Sequence, residues 1–351
     1  MKILYKSFHT LDIDNNITKR IDIPTDFDNF ISEYTDHALN SEIFKCYKKE
    51  EDSSIFASIE KIINENLNAD CNNKIMSTKE SNIIADKLLK EEIKAQSQIE
   101  YMSKKIKRGS LIQALIENSD SFQCIIAKVE HVGYYNEESL TKSLGFSSDN
   151  KNIWKSVVFT ITKKDDIEFV SARVFDDNNT KYWAISFLEL TEIRDNEINT
   201  KNVYKSIETE LFRRVKPKSE KDYLILSNWT FKKMSTKHFL KYNEFIDEMI
   251  DGYHAYSDDL DLKNLKDVLL KLPKKNNFDT SFETVPTILT KKSKLKYELM
   301  KNVELRISRD IDDMHDSIVA YEDEKGARYI KIKCQNEETF NAFKQDVNKG
   351  G

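Results

Sequence analysis

Glycine and proline are scarce in this chain, which has seven glycines and four prolines among 351 residues. A phosphate-binding loop or a dinucleotide-binding turn needs two or three glycines within about six residues, so that backbone N–H groups can approach the phosphates. Here five glycines stand alone in the sequence, and the adjacent pair Gly350 and Gly351 ends the chain. The composition therefore excludes both classes of phosphate-loop enzyme.

Other common signals are missing as well. No stretch approaches the roughly 18 consecutive apolar residues of a membrane span, and the first residues lack the apolar core of a secretory signal. The cysteines lie far apart and form no CxxC motif, which argues against a disulfide scaffold and against a zinc or redox site. They are Cys46, Cys71, Cys124 and Cys334. We therefore expect a cytoplasmic protein without membrane insertion, cofactor or bound metal.

The period of the hydrophobic pattern changes from two to 3.6 near residue 195, and the length allows two domains of ordinary size. We predict an α+β fold. Residues 1–195 would form an α+β domain with an antiparallel β meander and flanking helices. Residues 196–351 would form a helical region followed by a small unit of C-terminal strands and a helix.

The pattern in the first domain predicts an N-terminal hairpin, a short strand over residues 43–47, and helices over 26–38, 55–67 and 77–104. Ser77 and Glu80 suggest a capping box for the long helix. Five apolar runs predict the strands of the meander: 110–116, 122–129, 154–162, 167–175 and 182–190.

In the second domain, apolar residues recur at helical spacing in three segments, and shorter apolar runs near the end predict strands. The predicted helices are 203–215, 239–250 and 262–269, followed by strands at 303–308, 317–321 and 327–334 and a closing helix at 336–347.

The sharpest catalytic candidate is an acidic group near the C-terminus: Asp310, Asp312, Asp313 and His315. Adjacent carboxylates and an imidazole can bind a divalent metal that activates water. Acidic residues between two strands are more often a solvated turn, so we assign no catalytic residue and keep a metal-dependent nuclease as the alternative. The nuclease-like ExK triplet at Glu92 and Lys94 falls within the long predicted helix, where we expect both side chains to face solvent.

Charge is nearly balanced overall, because 55 Lys and Arg stand against 60 Asp and Glu, but it is unevenly distributed. Residues 211–240 contain eight cations and two acids, so the local charge is 8 − 2 = +6, and Tyr223, Trp229 and Phe231 are interleaved with them. Such clusters bind DNA phosphates without reading sequence, although a solvated lysine-rich surface is the simpler interpretation. The basic residues that we predict as DNA contacts are Lys104, Lys105, Lys107, Arg108, Arg213, Arg214, Lys216, Lys218, Lys232, Lys233, Lys237, Lys291, Lys292, Lys294 and Lys296.

Short segments from both ends of the chain carry a resemblance to a known family. They are the opening strand, part of the long helix, a pair of strands and the closing strands, at residues 3–9, 84–89, 109–112, 125–129, 317–321 and 329–332. In these segments, and in the order of its elements, the chain resembles the NdpA-like family of nucleoid-associated bacterial proteins.

The resemblance implies a cytoplasmic, nucleoid-localised protein that binds double-stranded DNA with little sequence preference and is not an enzyme. We expect such a protein to self-associate as a homo-oligomer. Distant relatives also resemble DNA-binding components of anti-phage defence systems, so a DNA-binding or nuclease component of such a system is an alternative. A protein-interaction module that binds no nucleic acid is a further alternative.

Overall fold

The computed structural model of the protein describes residues 2–67, 74–99, 106, 109–135, 140–145, 153–163, 167–176, 180–309, 311 and 314–344. These residues form a large antiparallel sheet, then a helical region, and finally two hairpins and a short helix. The α+β class predicted from the sequence is confirmed. None of the described helices is long and apolar enough to cross a membrane.

The strands are numbered in chain order. They are β1 Lys2–Asp12, β2 Ile17–Ile21, β3 Lys45–Lys49, β4 Gly109–Glu117, β5 Ser121–Glu130, β6 Val132–Tyr135, β7 Lys142–Gly145, β8 Ile153–Thr162, β9 Phe169–Asp176, β10 Leu190–Glu192, β11 Phe239–Lys241, β12 Ser281–Glu283, β13 Lys294–Met300, β14 Val303–Ser308, β15 Ile318–Glu322 and β16 Arg328–Ile332.

The α-helices are numbered in the same way. They are α1 Thr25–Asn40, α2 Ser54–Leu67, α3 Ile75–Ile99, α4 Asn196–Ile207, α5 Arg213–Val215, α6 Glu220–Met234, α7 Tyr242–Ile250, α8 Leu262–Leu270, α9 Leu272–Asn276, α10 Met314–Ser317 and α11 Glu337–Phe343. Residues Tyr182–Phe187 and Glu208–Phe212 are π-helical, and Pro286–Lys292 is a 3-10 helix.

Eight strands form the main sheet in the order β10-β3-β9-β8-β5-β4-β1-β2. Strands β4, β5, β8 and β9 are consecutive neighbours with antiparallel pairing, which confirms four strands of the predicted meander. The fifth predicted strand, at 182–190, is wrong, because residues 182–187 are helical. Trp183 and Phe187, four residues apart, are fully buried and pack together with ring centroids 5.0 Å apart.

Both faces of this sheet are covered, so the central strands bury apolar side chains on both faces. In β4, Leu111 packs in the cluster that includes α2 and α3, while its neighbour Ile112 packs against α1 on the opposite face. Successive residues of a strand point to opposite faces, which explains a buried run without polar alternation. Burying each such side chain contributes roughly 1.5–3 kcal/mol.

Helix α3 begins two residues earlier than the predicted capping box, which is wrong. Ser77 lies inside the first turn, and the carboxylate of Glu65 accepts hydrogen bonds from the backbone N–H groups of Met76 and Ser77 at 2.8 and 2.5 Å. Glu80 is buried and accepts instead from the Ser58 hydroxyl at 2.7 Å and from Lys61 at 3.1 Å. The helix start is therefore capped from α2 rather than by its own side chains.

The helical region has its own apolar core, built from side chains between Val203 and Leu289. Asp279, which is fully buried, joins this region to the edge of the sheet. It accepts from Arg194 at 2.6 Å, from Asn199 at 2.9 Å and from the backbone N–H of Cys46 in β3 at 3.1 Å. The predicted domain boundary near residue 195 falls at this junction and stays a prediction.

The two final hairpins and the last helix leave many apolar side chains exposed to solvent. Strands β13 and β14 bury Leu295 and Ile307, whereas every side chain of β16 is exposed. Aromatic residues of α11 are exposed too, with Phe343 at 81%. Since an isolated two-stranded hairpin is at best marginally stable in water, this segment is the part of the described fold least able to stand alone.

Candidate nucleic-acid interface

Helix α6 organises the basic run that the sequence places between residues 211 and 240. It begins at the N-cap Ser219, whose hydroxyl accepts from the backbone N–H of Asp222, and ends with Lys232 and Lys233 in its last turn. Cations at the carbonyl end of a helix are favoured by the helix dipole. Its 15 residues span about 22 Å, so the predicted +6 stretch consists of two separate groups at opposite ends.

An open groove of about 520 Å³ lies at the C-terminal end of α6. Trp229 and Phe245 form its apolar wall, with ring centroids 5.1 Å apart. The Lys233 ammonium lies 5.4 Å from the Trp229 ring centroid, a cation–π arrangement. Further polar side chains line the groove, among them Lys232, His238, Lys241, Glu244 and Glu248.

Carboxylates lie close to the lysines at this end of the helix. Lys233 pairs with Glu248 at 2.6 Å, and Lys237 pairs with Glu283 of β12 at 3.4 Å. Exposed pairs of this kind contribute only about 0–1 kcal/mol, so a DNA phosphate can compete for the same ammonium groups. The local positive charge is nevertheless smaller than the count of lysines indicates.

The group at the other end of α6 surrounds two glutamates of the π-helical turn. Arg214 and Lys275 both contact Glu210, while Lys292 pairs with Glu208 at 2.7 Å. The hydrogen bond from Lys275, followed by the one from Arg214, lowers the pKa of the Glu210 carboxyl. Three cations thus share two carboxylates, which leaves one positive charge in excess.

The remaining predicted contacts in the described chain vary in their surroundings. Lys216 lies 3.7 Å from Glu220 and 5.0 Å from the Tyr223 ring centroid, and Lys218 donates to the backbone carbonyl of Asp259 at 2.9 Å. Lys296 pairs with Glu304 across the β13–β14 hairpin. Three exposed cations among the predicted contacts have neither a salt bridge nor a side-chain hydrogen bond to any residue that the structure describes: Arg213, Lys291 and Lys294.

Some predicted site residues lie outside the described residues. These are the basic residues Lys104, Lys105, Lys107 and Arg108, and the acidic residues Asp310, Asp312 and Asp313, together with the side chain of His315. Elsewhere, in the part of the chain that the structure describes, no group of three or more His, Cys, Asp or Glu side chains could hold a metal ion. The metal-dependent nuclease therefore gains no support from the described residues.

A buried charge pair in the sheet was missed by the sequence reasoning. The sequence predicts that Glu92 faces solvent, and this prediction is wrong. The Glu92 side chain is 1% exposed and pairs with the buried Lys128 of β5 at 2.5 Å. Lys94 is exposed, as expected. Glu92 follows the core residue Leu88 by four positions, a spacing that places both on one helix face and could have indicated burial.

A second buried pair lies beside the first. Lys155 of β8 contacts Asp176 of β9 and the hydroxyl of Thr180, and burial lowers the pKa of the lysine. Gly109 is needed beside Lys128, because a Cβ there would stand 2.6 Å from the Val129 carbonyl oxygen. Each of the four charges has an opposite partner, so this cluster stabilises the fold and offers no vacant position to a ligand.

Comparison with protein-family models finds no match, and comparison with curated proteins finds none either. The resemblance to the NdpA-like family accordingly stays a prediction from short sequence segments. The fold and this surface define an α+β protein whose helical region presents cations and an aromatic groove, and any function is inferred from those features.

Proposed function

We propose that the protein is a non-enzymatic, largely sequence-independent double-stranded DNA-binding protein that acts through the basic surface of its helical region. The observation that carries the proposal is the groove at the end of α6, which Trp229 lines together with lysines from α6 and β11. Lysine ammonium groups bind phosphate oxygens irrespective of base identity, which gives affinity without sequence preference.

The surrounding ion pairs shape how this binding works. Glu244 and Glu248 lie in the same groove as the lysines, so a phosphate has to displace a carboxylate before it gains an ammonium partner. The affinity per lysine is therefore lower than on a purely basic surface. Binding depends on several contacts made together, which include the exposed cations Arg213, Lys291 and Lys294.

Self-association as a homo-oligomer is part of the proposal. Its support is the set of apolar side chains left exposed on the last hairpin and helix: Val319, Tyr321, Tyr329, Ile330, Ile332, Phe340 and Phe343. Covering such a surface with a second copy would remove apolar area from water. The proposed setting is the bacterial nucleoid, with an anti-phage defence system as the alternative setting for the same activity.

The test is a fluorescence anisotropy titration of the full chain with two duplexes of unrelated sequence. We expect similar affinity for both, and we expect the double variant Lys232→Glu and Lys233→Glu to bind at least tenfold more weakly. The matched control is Lys79→Glu and Lys90→Glu, two exposed lysines on α3. Equal weakening by both double variants would remove the groove from the proposal.

The protein-interaction module remains the competing function, favoured by the same exposed apolar hairpin. A chain that binds neither duplex at low salt, yet retains a protein partner after nuclease treatment, would replace the DNA-binding proposal with this one.

A further inference from the structure

We propose that Arg309, with Tyr204, Tyr223 and Tyr297, forms a binding site for a phosphate-type oxyanion. The site lies between the β13–β14 hairpin and the first helices of the helical region. The proposal does not require that the protein bind DNA.

Arg309 is an unusual buried cation. It directly follows β14, and its backbone N–H donates to the carbonyl of Ser293 at 2.8 Å. The residue is only 7% exposed. No carboxylate pairs with it among the described residues. A buried guanidinium without an anion is costly, because the charge loses its hydration without receiving an opposite charge.

Among the residues that the structure describes, the guanidinium donates hydrogen bonds only to tyrosine hydroxyl groups. Its Nη1 donates to the Tyr204 hydroxyl and its Nη2 donates to the Tyr223 hydroxyl at 3.2 Å, while its Nε is buried without a partner. An arginine carries five N–H donors, so about three of them have no acceptor within the described chain. The free Nε–H and a neighbouring Nη–H form the planar fork that binds oxyanions in bidentate fashion.

The tyrosines add further donors and no competing acceptor charge. Tyr204 and Tyr223 accept from Arg309 and donate to no other described residue, so their own protons are available. Tyr297 lies on the same face of the hairpin as Ile307, close enough to Arg309 for that cation to act on its pKa, and its hydroxyl is buried without a partner among the described residues. Burial is the main cause that raises the pKa of Tyr204 and of Tyr297 to about 12, so both hydroxyl groups keep their protons at neutral pH.

Two acids among the described residues act on the tyrosines of this site. Glu208 and Glu220 are the acids that influence the tyrosines, and each is held by a lysine, Lys292 and Lys216 respectively. Lys216 also lies over the Tyr223 ring. Among the described residues, Arg309 and the tyrosine hydroxyl groups around it therefore offer more hydrogen-bond donors than acceptors, and no carboxylate balances the charge. A phosphate group supplies several acceptor oxygens and a negative charge.

Two sources could supply the same chemistry: a small phosphate compound or the phosphodiester backbone of DNA. The experiment uses the full chain and measures thermal unfolding against inorganic phosphate at constant ionic strength set with chloride. We expect a saturable rise in Tm for the natural chain. Removing a donor should weaken the apparent phosphate affinity about tenfold in Tyr297→Phe, since hydrogen bonds to a charged group are strong.

Tyr297→Phe is the informative variant because it keeps the ring and deletes only an unpartnered hydroxyl. Without phosphate it should be at least as stable as the natural chain, which separates loss of binding from loss of folding. Tyr135→Phe, at an exposed tyrosine on β6, is the matched control and should keep the full phosphate response. Arg309→Gln should abolish that response.

The DNA titration distinguishes the two sources. Weaker duplex binding by Tyr297→Phe, alongside its weakened phosphate response, would identify a backbone phosphate as the ligand. Unchanged duplex binding with a weakened phosphate response would identify a small phosphate compound. A natural chain whose Tm does not rise with phosphate, or a Tyr297→Phe variant that responds as fully as the natural chain, would overturn the oxyanion site while leaving the groove proposal untouched.

Discussion

The buried lysines of the sheet and the predicted basic residues of the helical region have different surroundings. In the sheet, Lys128 and Lys155 are buried beside Glu92 and Asp176, and every charge has a partner. In the helical region, most of the predicted cations lie on the surface, where their ion pairs are exposed and weak. We therefore expect the loss of a buried partner in the sheet to reduce the stability of the fold. The exposed cations of the helical region are accessible to a binding partner.

The largest expected effect is on stability, from breaking a buried pair. Glu92→Ala should lower the free energy of unfolding by about 3–5 kcal/mol, because it removes the carboxylate that pairs with the buried Lys128. Chemical denaturation checks this. A loss below about 1 kcal/mol would show that this buried pair contributes no more to stability than an exposed pair. That result would contradict the contrast between the two groups of charges.

The next effect concerns the contact between the two regions. Asp279→Ala removes the carboxylate that binds Arg194, Asn199 and the β3 backbone, so we expect a loss of about 2–4 kcal/mol. Denaturation followed by two probes, one in each region, shows whether the sheet and the helical region unfold together. Separate transitions in the variant would show that Asp279 couples the regions, and a single unchanged transition would contradict that coupling.

A smaller effect depends on pH. Burial lowers the pKa of His9, whose Nε2 lies 2.8 Å from the Asn82 side-chain oxygen. The unfolded chain therefore takes up this proton at a higher pH than the folded chain, and stability falls as pH drops below about 6.5.

The variant His9→Gln should reduce the pH dependence of stability between about pH 6.5 and 5, while the exposed His37→Gln should not. Identical slopes in the natural chain and in His9→Gln, measured by denaturation at each pH, would contradict a buried neutral His9.

The smallest effect on stability is expected from the groove lysines. The double variant Lys232→Glu and Lys233→Glu should change the free energy of unfolding by less than about 1 kcal/mol while it weakens DNA binding. Thermal unfolding of this variant is the check. A large loss of stability would mean that these lysines support the fold, as the buried pairs do.

Much of the sheet could be predicted because its pattern is local. Strands β4, β5, β8 and β9 are rich in apolar residues and are bounded by polar turns. The segment at 182–190 could not be distinguished in this way, because a short apolar run fits a buried helix as well as a strand. In the structure residues 182–187 are helical, which brings the rings of Trp183 and Phe187 into contact.

The site was harder to predict because its partners come from distant parts of the chain. Trp229 and Lys233 are four residues apart, so their contact is local to one helix. Their neighbours His238, Lys241 and Phe245 reach the groove only through the packing of β11 and α7. The carboxylates that neutralise the lysines are likewise brought in by folding, which a count of charges along the sequence does not record.

The most direct test of the central claim is the salt dependence of duplex binding by the natural chain. If phosphate contacts provide the affinity, the logarithm of the association constant falls linearly with the logarithm of salt concentration, by about 0.9 per phosphate neutralised. We expect several contacts, and a slope reduced by up to about 1.8 in the Lys232→Glu and Lys233→Glu variant. No duplex binding at low salt, or binding that does not change with salt, would contradict the account.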